Sequence, residues 1–363
     1  MVSKVCFVNT SESWGGGEKW HATAARYLST RVEVVVATTP SSKLHQRMTE
    51  YGLPVFPIRI GNLSALNPWK IWKIVKFFRQ QGVQTVVLNL PADVKAAGIA
   101  AKIAGVKRII YRRGMPKPVK DTIVNRYLFA QVVTQVIVNS KEIGRTLIAY
   151  NQRMVDEKKV YVVYNGVDVS AHEKAKLALS SERNDSVVRL GTAGRLVESK
   201  NHALLIGVVE RILKSGRSVS LEIAGAGPLE PGLRELVNSR GLQDSVKLSG
   251  FVNDPAAFMA RLDIFVFPSK YEGSANAIVE AMASALPVVA FDVSSMPEMV
   301  EHETTGLLAK YESEDDFTAK VVALVDDKRL RQKFGAAALA RAKRDFDSQK
   351  NLKVAADLIL GST

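Results

Sequence analysis

The chain has 363 residues, 47% of them hydrophobic and 24% charged, with a formal net charge of +14 and one cysteine. That length supports two hydrophobic cores, and the balance excludes a disordered chain, a disulfide-stapled secreted module and a bundle of membrane spans. The opening MVSKVCFVNT is too short in its apolar run to read as a signal peptide, so the expected location is cytoplasmic, free or peripheral on the inner face of the plasma membrane.

Charge is unevenly divided. Residues 1–165 carry 25 Lys and Arg against 9 Asp and Glu, whereas residues 166–363 carry 25 against 27. A basic half attracts nucleic acid, an anionic membrane or an anionic substrate, and charge alone does not choose among them. No helix-turn-helix, zinc-ligand or RNA-binding signature accompanies it, so nucleic acid is not the expected partner.

In chain order, residues 4–9 read as a buried strand with Cys6 as core packing. SESWGGGEKW follows, then a helical pattern to Leu28. Gly15, Gly16 and Gly17 either let the backbone approach a ligand at a helix start or form a loose connector; the stretch is not GxGxxG. Further strands are expected at 32–37, 55–60, 85–90, 108–111 and 136–139, separated by helical or loop material. Strands alternating with helices predict a doubly wound parallel sheet.

Residues 67–81 predict an amphipathic helix. Ile71, Ile74, Val75 and Phe78 lie on one side, Lys70, Lys73, Lys76 and Arg79 around the other, and Trp69, Trp72 and Phe77 widen the apolar part. Aromatics beside lysines suit an anionic headgroup region; a sheet-covering helix with a solvated lysine face is the other reading. Arg112 and Arg113, with Lys117 and Lys120, follow a strand expected to end at Tyr111. That position directs them into the crevice, toward an anionic acceptor. Asp93, in the loop after Leu90, is either the acidic group of this half or a helix N-cap after Pro91.

VYVVYNGVDVS closes in a turn at Asn165 and Gly166, and residues 170–186 read as polar and irregular, which places the domain boundary here. A second alternating series follows, with strands at 188–192, 220–224, 246–248, 264–267 and 288–291 and a helix at 201–214. In GRLVESKN, Arg195 and Lys200 feed that helix. Two cations at a helix N-terminus oppose its dipole, so either an anion sits between them or both are simply solvated.

The stretch PSKYEGSANAIVEAMASALPVVAFD is strand, loop, helix, strand, with Glu272 on the loop and Glu280 inside the helix. Such loops lie at the carboxyl ends of a parallel sheet, where ligands bind. Ala277, Ile278, Ala281, Met282 and Ala285 make the helix apolar and buried, and a charge there needs a polar partner. Glu272 and Glu280 are therefore ligand candidates; the alternative is a dipole cap and a solvated side chain. Asp345 and Asp347 flank Phe346 in a lysine-rich helical tail and read as chance rather than a metal pair.

GRLVESKN, IAGAGP, LSGFV, the long Glu272 stretch and ETTGLL, with VVYNGVD upstream, resemble the retaining nucleotide-sugar glycosyltransferases of family 4. The resemblance implies the α/β GT-B fold: two Rossmann-like doubly wound parallel-sheet domains facing across a cleft. The acceptor-binding domain would be 1–165, the nucleotide-sugar domain 166–347, and a last helix in 348–363 would pack back on the first. Arg195 and Lys200 match the residues that neutralise the donor diphosphate in place of a metal. Glu272 matches the glutamate that contacts the donor sugar. Gly273, Ser274, Ala275, Asn276 and Ala277 fall where backbone amides meet sugar and phosphate, and Glu280 matches the ribose-binding glutamate. Gly250, Phe251 and Val252 lie where the base is gripped, and Gly15 and Gly16 where the first loop closes over the diphosphate.

One departure is visible. Many relatives carry His-Gly where this chain has Arg113 before Gly114, and arginine does not exchange protons near neutral pH. Arg113 can instead hold a phosphate or carboxylate, and Asp93 remains the acidic candidate of the acceptor domain. The implied activity is retaining, metal-independent transfer from a UDP-, GDP- or ADP-type sugar to a glycan or lipid-linked acceptor, with no further cofactor, in lipopolysaccharide or surface polysaccharide synthesis. A sugar-nucleotide epimerase would need extra acid/base carboxylates and a phosphorylase a cofactor lysine, and neither pattern is evident. A basic nucleic-acid-binding protein would show salt-sensitive affinity indifferent to nucleotide sugars.

Overall fold

The computed structural model describes residues 4–115, 117–149, 154–178 and 186–362. It divides into two compact units, one of residues 1–164 with 350–363 and one of residues 165–349. The first holds β1 (Lys4–Asn9), β2 (Glu33–Thr38), β3 (Val55–Pro57), β4 (Thr85–Leu88), β5 (Arg108–Arg113), β6 (Gln135–Val138) and β7 (Val160–Val162). They form one parallel sheet in the order β3-β2-β1-β4-β5-β6-β7. The second unit holds β8 (Val188–Ala193), β9 (Val219–Ala224), β10 (Val246–Gly250), β11 (Ile264–Phe267), β12 (Val288–Phe291) and β13 (Gly306–Ala309). Its parallel sheet runs β10-β9-β8-β11-β12-β13.

Each sheet grows outward from its first strand and then reverses, between β1 and β4 in one unit and between β8 and β11 in the other. At such a switch point the two flanking loops diverge and leave a crevice at the carboxyl edge. The strands are short Val- and Ile-rich runs because helices cover both faces. In the first unit one face packs against Ile74, Val75 and Phe78. The other packs against Trp20, Ala25 and Leu28 of the helix Gly16–Leu28, with Leu352, Ala355, Ala356 and Ile359 of the final helix Ser348–Leu360. Arg108 fastens that final helix by donating to the Leu358 carbonyl at 2.5 Å.

Four local expectations are corrected. β3 ends at Pro57 rather than residue 60, because it is an edge strand whose partner β2 ends at Thr38. β5 runs on through Arg113, since β6 supplies partners as far as Val138. Residues 169–178 form the helix Val169–Ala178 instead of an irregular stretch. It packs against the helices Pro255–Ala260 and Asn276–Ala283, and its buried His172 brings Nδ1 to 2.7 Å from the Ser284 hydroxyl; residues 179–185 lie outside the described set. β13 was not expected from the sequence. On the helix Pro68–Gln80, Phe77 joins the core while Trp69 and Trp72 stay 78% and 55% exposed.

Candidate functional site

In the second unit the chain leaves β8 at Ala193 and turns through Gly194, Arg195 and Leu196. This turn is laced to the loop after β9: the Gly194 amide donates to the Ala224 carbonyl at 2.9 Å, Leu196 to Ala226 at 3.0 Å, and Leu229 back to Leu196 at 3.1 Å. The close approach requires glycine at two points. Gly225 sits at φ +148° against the Gly194 carbonyl, and a Cβ on Gly227 would strike the Leu196 backbone. IAGAGP carried this signal in the sequence, but no role was read from it.

A short turn, Glu198–Lys200, follows, and Asn201 in the left-handed region (φ 54°) redirects the chain into the helix His202–Lys214. Lys200 Nζ pairs with Glu272 Oε1 and lies 5.2 Å from the centroid of the Phe267 ring; the two paired side chains are 18% and 12% exposed. Two further contacts tie the loop after β11 to the loop after β8: the Lys270 amide donates to the Ser199 carbonyl at 2.9 Å, and Lys270 Nζ lies 3.5 Å from Glu198. His202 next door is neutral at physiological pH, since burial, helped by Lys200, lowers its pKa to about 4. Arg195 is exposed, and among the described residues its guanidinium makes no hydrogen bond or ion pair.

Beyond Glu272, Gly273 and Ser274 are half-buried, Ala275 is buried, and Asn276 opens the helix Asn276–Ala283, accepting from Asn165 at 2.9 Å. Ala277 and Glu280 are half-buried on that helix; Ile278, Ala281 and Met282 are buried as expected, whereas Ala285, also expected on it, lies half-buried beyond its end at Ala283. β10 ends at Gly250 (φ +68°), whose carbonyl accepts from Gly225 at 2.7 Å; Phe251 then stands exposed and Val252 half-buried. Strand order therefore sets these groups in a row along one edge: residues 250–252 after β10, Gly225 and Gly227 after β9, Arg195 and Lys200 after β8, and residues 272–280 after β11. Three strand spacings make the row about 14 Å long. An extended ligand with an anionic middle fits that order. Ser294, after β12, also reaches Glu272, and no local pattern announced it.

In the first unit the glycine loop is held rather than loose. Gly15 caps the helix Gly16–Leu28, and Glu18 accepts from the Gly15 amide at 2.9 Å and from Asn89 Nδ2 at 3.2 Å. Arg112 and Arg113 do not follow the strand into the crevice as expected; they end β5, 3% and 5% exposed. Alternation sends them to opposite faces. Arg112 lies 5.2 Å over the Trp20 ring, with its pKa lowered to about 10 by burial against the opposing pull of Glu18. Arg113 donates to the Tyr111 hydroxyl at 3.2 Å and to the Lys117 carbonyl.

Asp93 has no exposed surface. Its carboxylate accepts from Thr10 Oγ1 at 2.5 Å and from the Leu90 amide at 3.0 Å, so it closes the turn from the third helical position rather than the N-cap. Burial raises its pKa from 3.8 to about 6, against those hydrogen bonds. A carboxyl whose folded pKa is the higher one favours folding at low pH and loses that contribution as pH rises through about 6. Asp93→Asn keeps an acceptor for Leu90 and removes the ionisation. Relative to wild type, the variant is expected to gain about 3 kcal/mol between pH 3.5 and pH 7. Denaturant unfolding at several pH values checks this, and a pH-independent difference refutes it.

A family model described as Glycosyltransferase Family 4 matches residues 14–171, and one described as Glycosyl transferases group 1 matches residues 188–327. The chain is 28% identical over 370 residues to the N-acetylgalactosamine-N,N'-diacetylbacillosaminyl-diphospho-undecaprenol 4-alpha-N-acetylgalactosaminyltransferase of Campylobacter jejuni, covering 96% of each. It is 24% identical over 314 residues to the capsular polysaccharide biosynthesis glycosyltransferase CapH of Staphylococcus aureus, covering 82% of this chain and 84% of that one. HepE of Anabaena, solved in complex with UDP, has the same fold: TM-score 0.83 at 22% identity, over 99% of this chain and 100% of that one.

Proposed function

The chain belongs to glycosyltransferase family 4 with the GT-B fold, and from that premise we propose that it transfers a sugar, with retention and without a metal, from a nucleoside-diphosphate sugar to a glycan or lipid-linked acceptor. The observation that carries this is the row on the second sheet, with Arg195 and Lys200 after β8 beside Glu272 after β11. The base lies at Gly250, Phe251 and Val252, the ribose at Glu280, the diphosphate at Arg195 and Lys200, and the sugar at Glu272 with the amides of residues 273–277.

The bond from the anomeric carbon to phosphate oxygen breaks as the acceptor oxygen bonds to the same face, and the acceptor's proton passes to the leaving phosphate. Negative charge grows on the diphosphate and positive character on the sugar. Fixed cations at the first and a carboxylate at the second favour that transition state. Two side-chain cations take the part a divalent ion would play at the diphosphate.

A thermal-shift screen with chelator present, against UDP, GDP, ADP, CMP and their common sugar conjugates, tests this reading. A ligand of the native state raises the melting temperature by mass action. One nucleoside diphosphate and its sugar are expected to shift it with chelator present; a shift that needs added magnesium refutes the metal-free part, and no shift in either condition sinks the reading.

The acceptor belongs to the basic first unit, at the inner face of the membrane, in surface-glycan synthesis. What supports the membrane is the exposed set Leu63, Leu66, Trp69 and Trp72 beside Lys70, Lys73 and Lys76, in a stretch with no Asp or Glu from residue 51 to 92. Such a face lies in a headgroup layer without crossing it. Among the described residues no helix is long and apolar enough to span a bilayer. Co-flotation with anionic but not zwitterionic vesicles is expected, and equal indifference to both refutes it.

A further inference from the structure

Ser294 stands in the turn after β12 at φ +57°, a left-handed conformation that strains a residue with a side chain and suits glycine. Strain of this kind persists where something else fixes the backbone. Here the hydroxyl spans to a different loop: Ser294 Oγ donates to the Glu272 carbonyl at 2.6 Å and accepts from the Glu272 amide at 3.3 Å. Both backbone polar groups of the glutamate thus rest on one side chain 22 residues away.

The loop that presents Glu272 is therefore held from two sides. On one side the Lys270 amide holds the Ser199 carbonyl at 2.9 Å; on the other is Ser294. The second anchor is itself fixed, because the Asp292 amide donates to Ala309 at 2.7 Å and Met296 to Val293 at 3.2 Å. Resting on the donor reading above, we propose that Ser294 is a positioning residue for the transfer step, setting where the Glu272 carboxylate stands relative to the donor sugar. A carboxylate that acts on the transition state is sensitive to displacements of about 1 Å, whereas affinity for the free nucleotide, spread over the loops after β8 and β10 and over Glu280 on the helix after β11, changes far less.

Glycine and alanine separate this from a structural role. Ser294→Gly removes both the hydroxyl and the strain; Ser294→Ala removes the hydroxyl and keeps the strain. Melting temperature, UDP affinity by calorimetry and turnover of UDP-glucose, UDP-galactose, UDP-N-acetylglucosamine, UDP-N-acetylgalactosamine and GDP-mannose, read as nucleoside diphosphate release, are measured for wild type and both variants. Both variants are expected to lose about 10- to 100-fold in kcat while UDP affinity stays within about threefold. Ser294→Gly is expected to melt no lower than wild type. Activity lost without stability lost is an outcome a merely structural residue does not give. Wild-type kcat in Ser294→Gly overturns the proposal, as does UDP affinity falling in step with turnover. A wild-type protein that binds no nucleoside diphosphate and turns over none of these donors overturns the donor reading, and this inference with it.

Discussion

Glu272→Gln is expected to lower transfer by about 10²- to 10³-fold while binding free nucleoside diphosphate more tightly than wild type. The two effects have one origin. Without donor, Glu272 is the counter-ion of Lys200, in a contact where both side chains are largely withdrawn from water. A diphosphate reaching Lys200 must displace or share that partner. Gln keeps the shape and the oxygen but drops the charge, so Lys200 is left to the phosphates and the diphosphate is spared a nearby negative neighbour. An affinity gain of about 3- to 10-fold is expected, the size of one modest charge interaction at a partly solvated site. The transition state needs the missing charge, because positive character builds on the sugar only as the phosphate bond breaks. Calorimetry with UDP and steady-state kinetics together decide it: wild-type turnover ends the catalytic assignment of Glu272, and weaker UDP binding ends the counter-ion account.

What could be read from the chain beforehand follows the range over which each signal acts. The alternation of Val- and Ile-rich runs with helical stretches is local, and it gave most of the strands of both sheets. That Glu272 stands on a loop and Glu280 inside the helix that follows was legible because loop, helix and the next strand lie within a single 25-residue stretch. The Lys200–Glu272 contact joins loops 72 residues apart, and only the switch from β8 to β11 brings them together. Ser294 was invisible for the same reason, with the added obstacle that a positive φ at serine leaves no mark in the sequence. Arg112 and Arg113 were misplaced because a strand's end is set by its neighbour's length, not by its own residues. Periodicity on the helix Pro68–Gln80 grouped Trp69, Trp72 and Phe77 together, yet only Phe77 faces the sheet: it stacks on Phe56 with ring centroids 3.8 Å apart.

The second large effect distinguishes the two cations. Lys200→Ala removes half of an ion pair and strands Glu272, whose side chain is 12% exposed, so stability itself is expected to fall by about 1–3 kcal/mol. UDP affinity should drop about 10- to 100-fold, because the phosphates lose a charge-assisted contact and meet an uncompensated carboxylate instead. Adding Glu272→Gln to Lys200→Ala removes the stranded charge: melting temperature is expected to recover most of the loss, and turnover none of it. Arg195→Ala behaves differently. Its guanidinium is exposed and, among the described residues, engages no partner, so its removal costs the fold within about 0.5 kcal/mol. The diphosphate still loses a cation, and UDP affinity should fall about 10-fold. Thermal denaturation and UDP titration of the four proteins test both claims. An Arg195→Ala protein that binds UDP as wild type does takes Arg195 out of the site, and a double variant no more stable than Lys200→Ala shows that the ion pair was never what the fold lost.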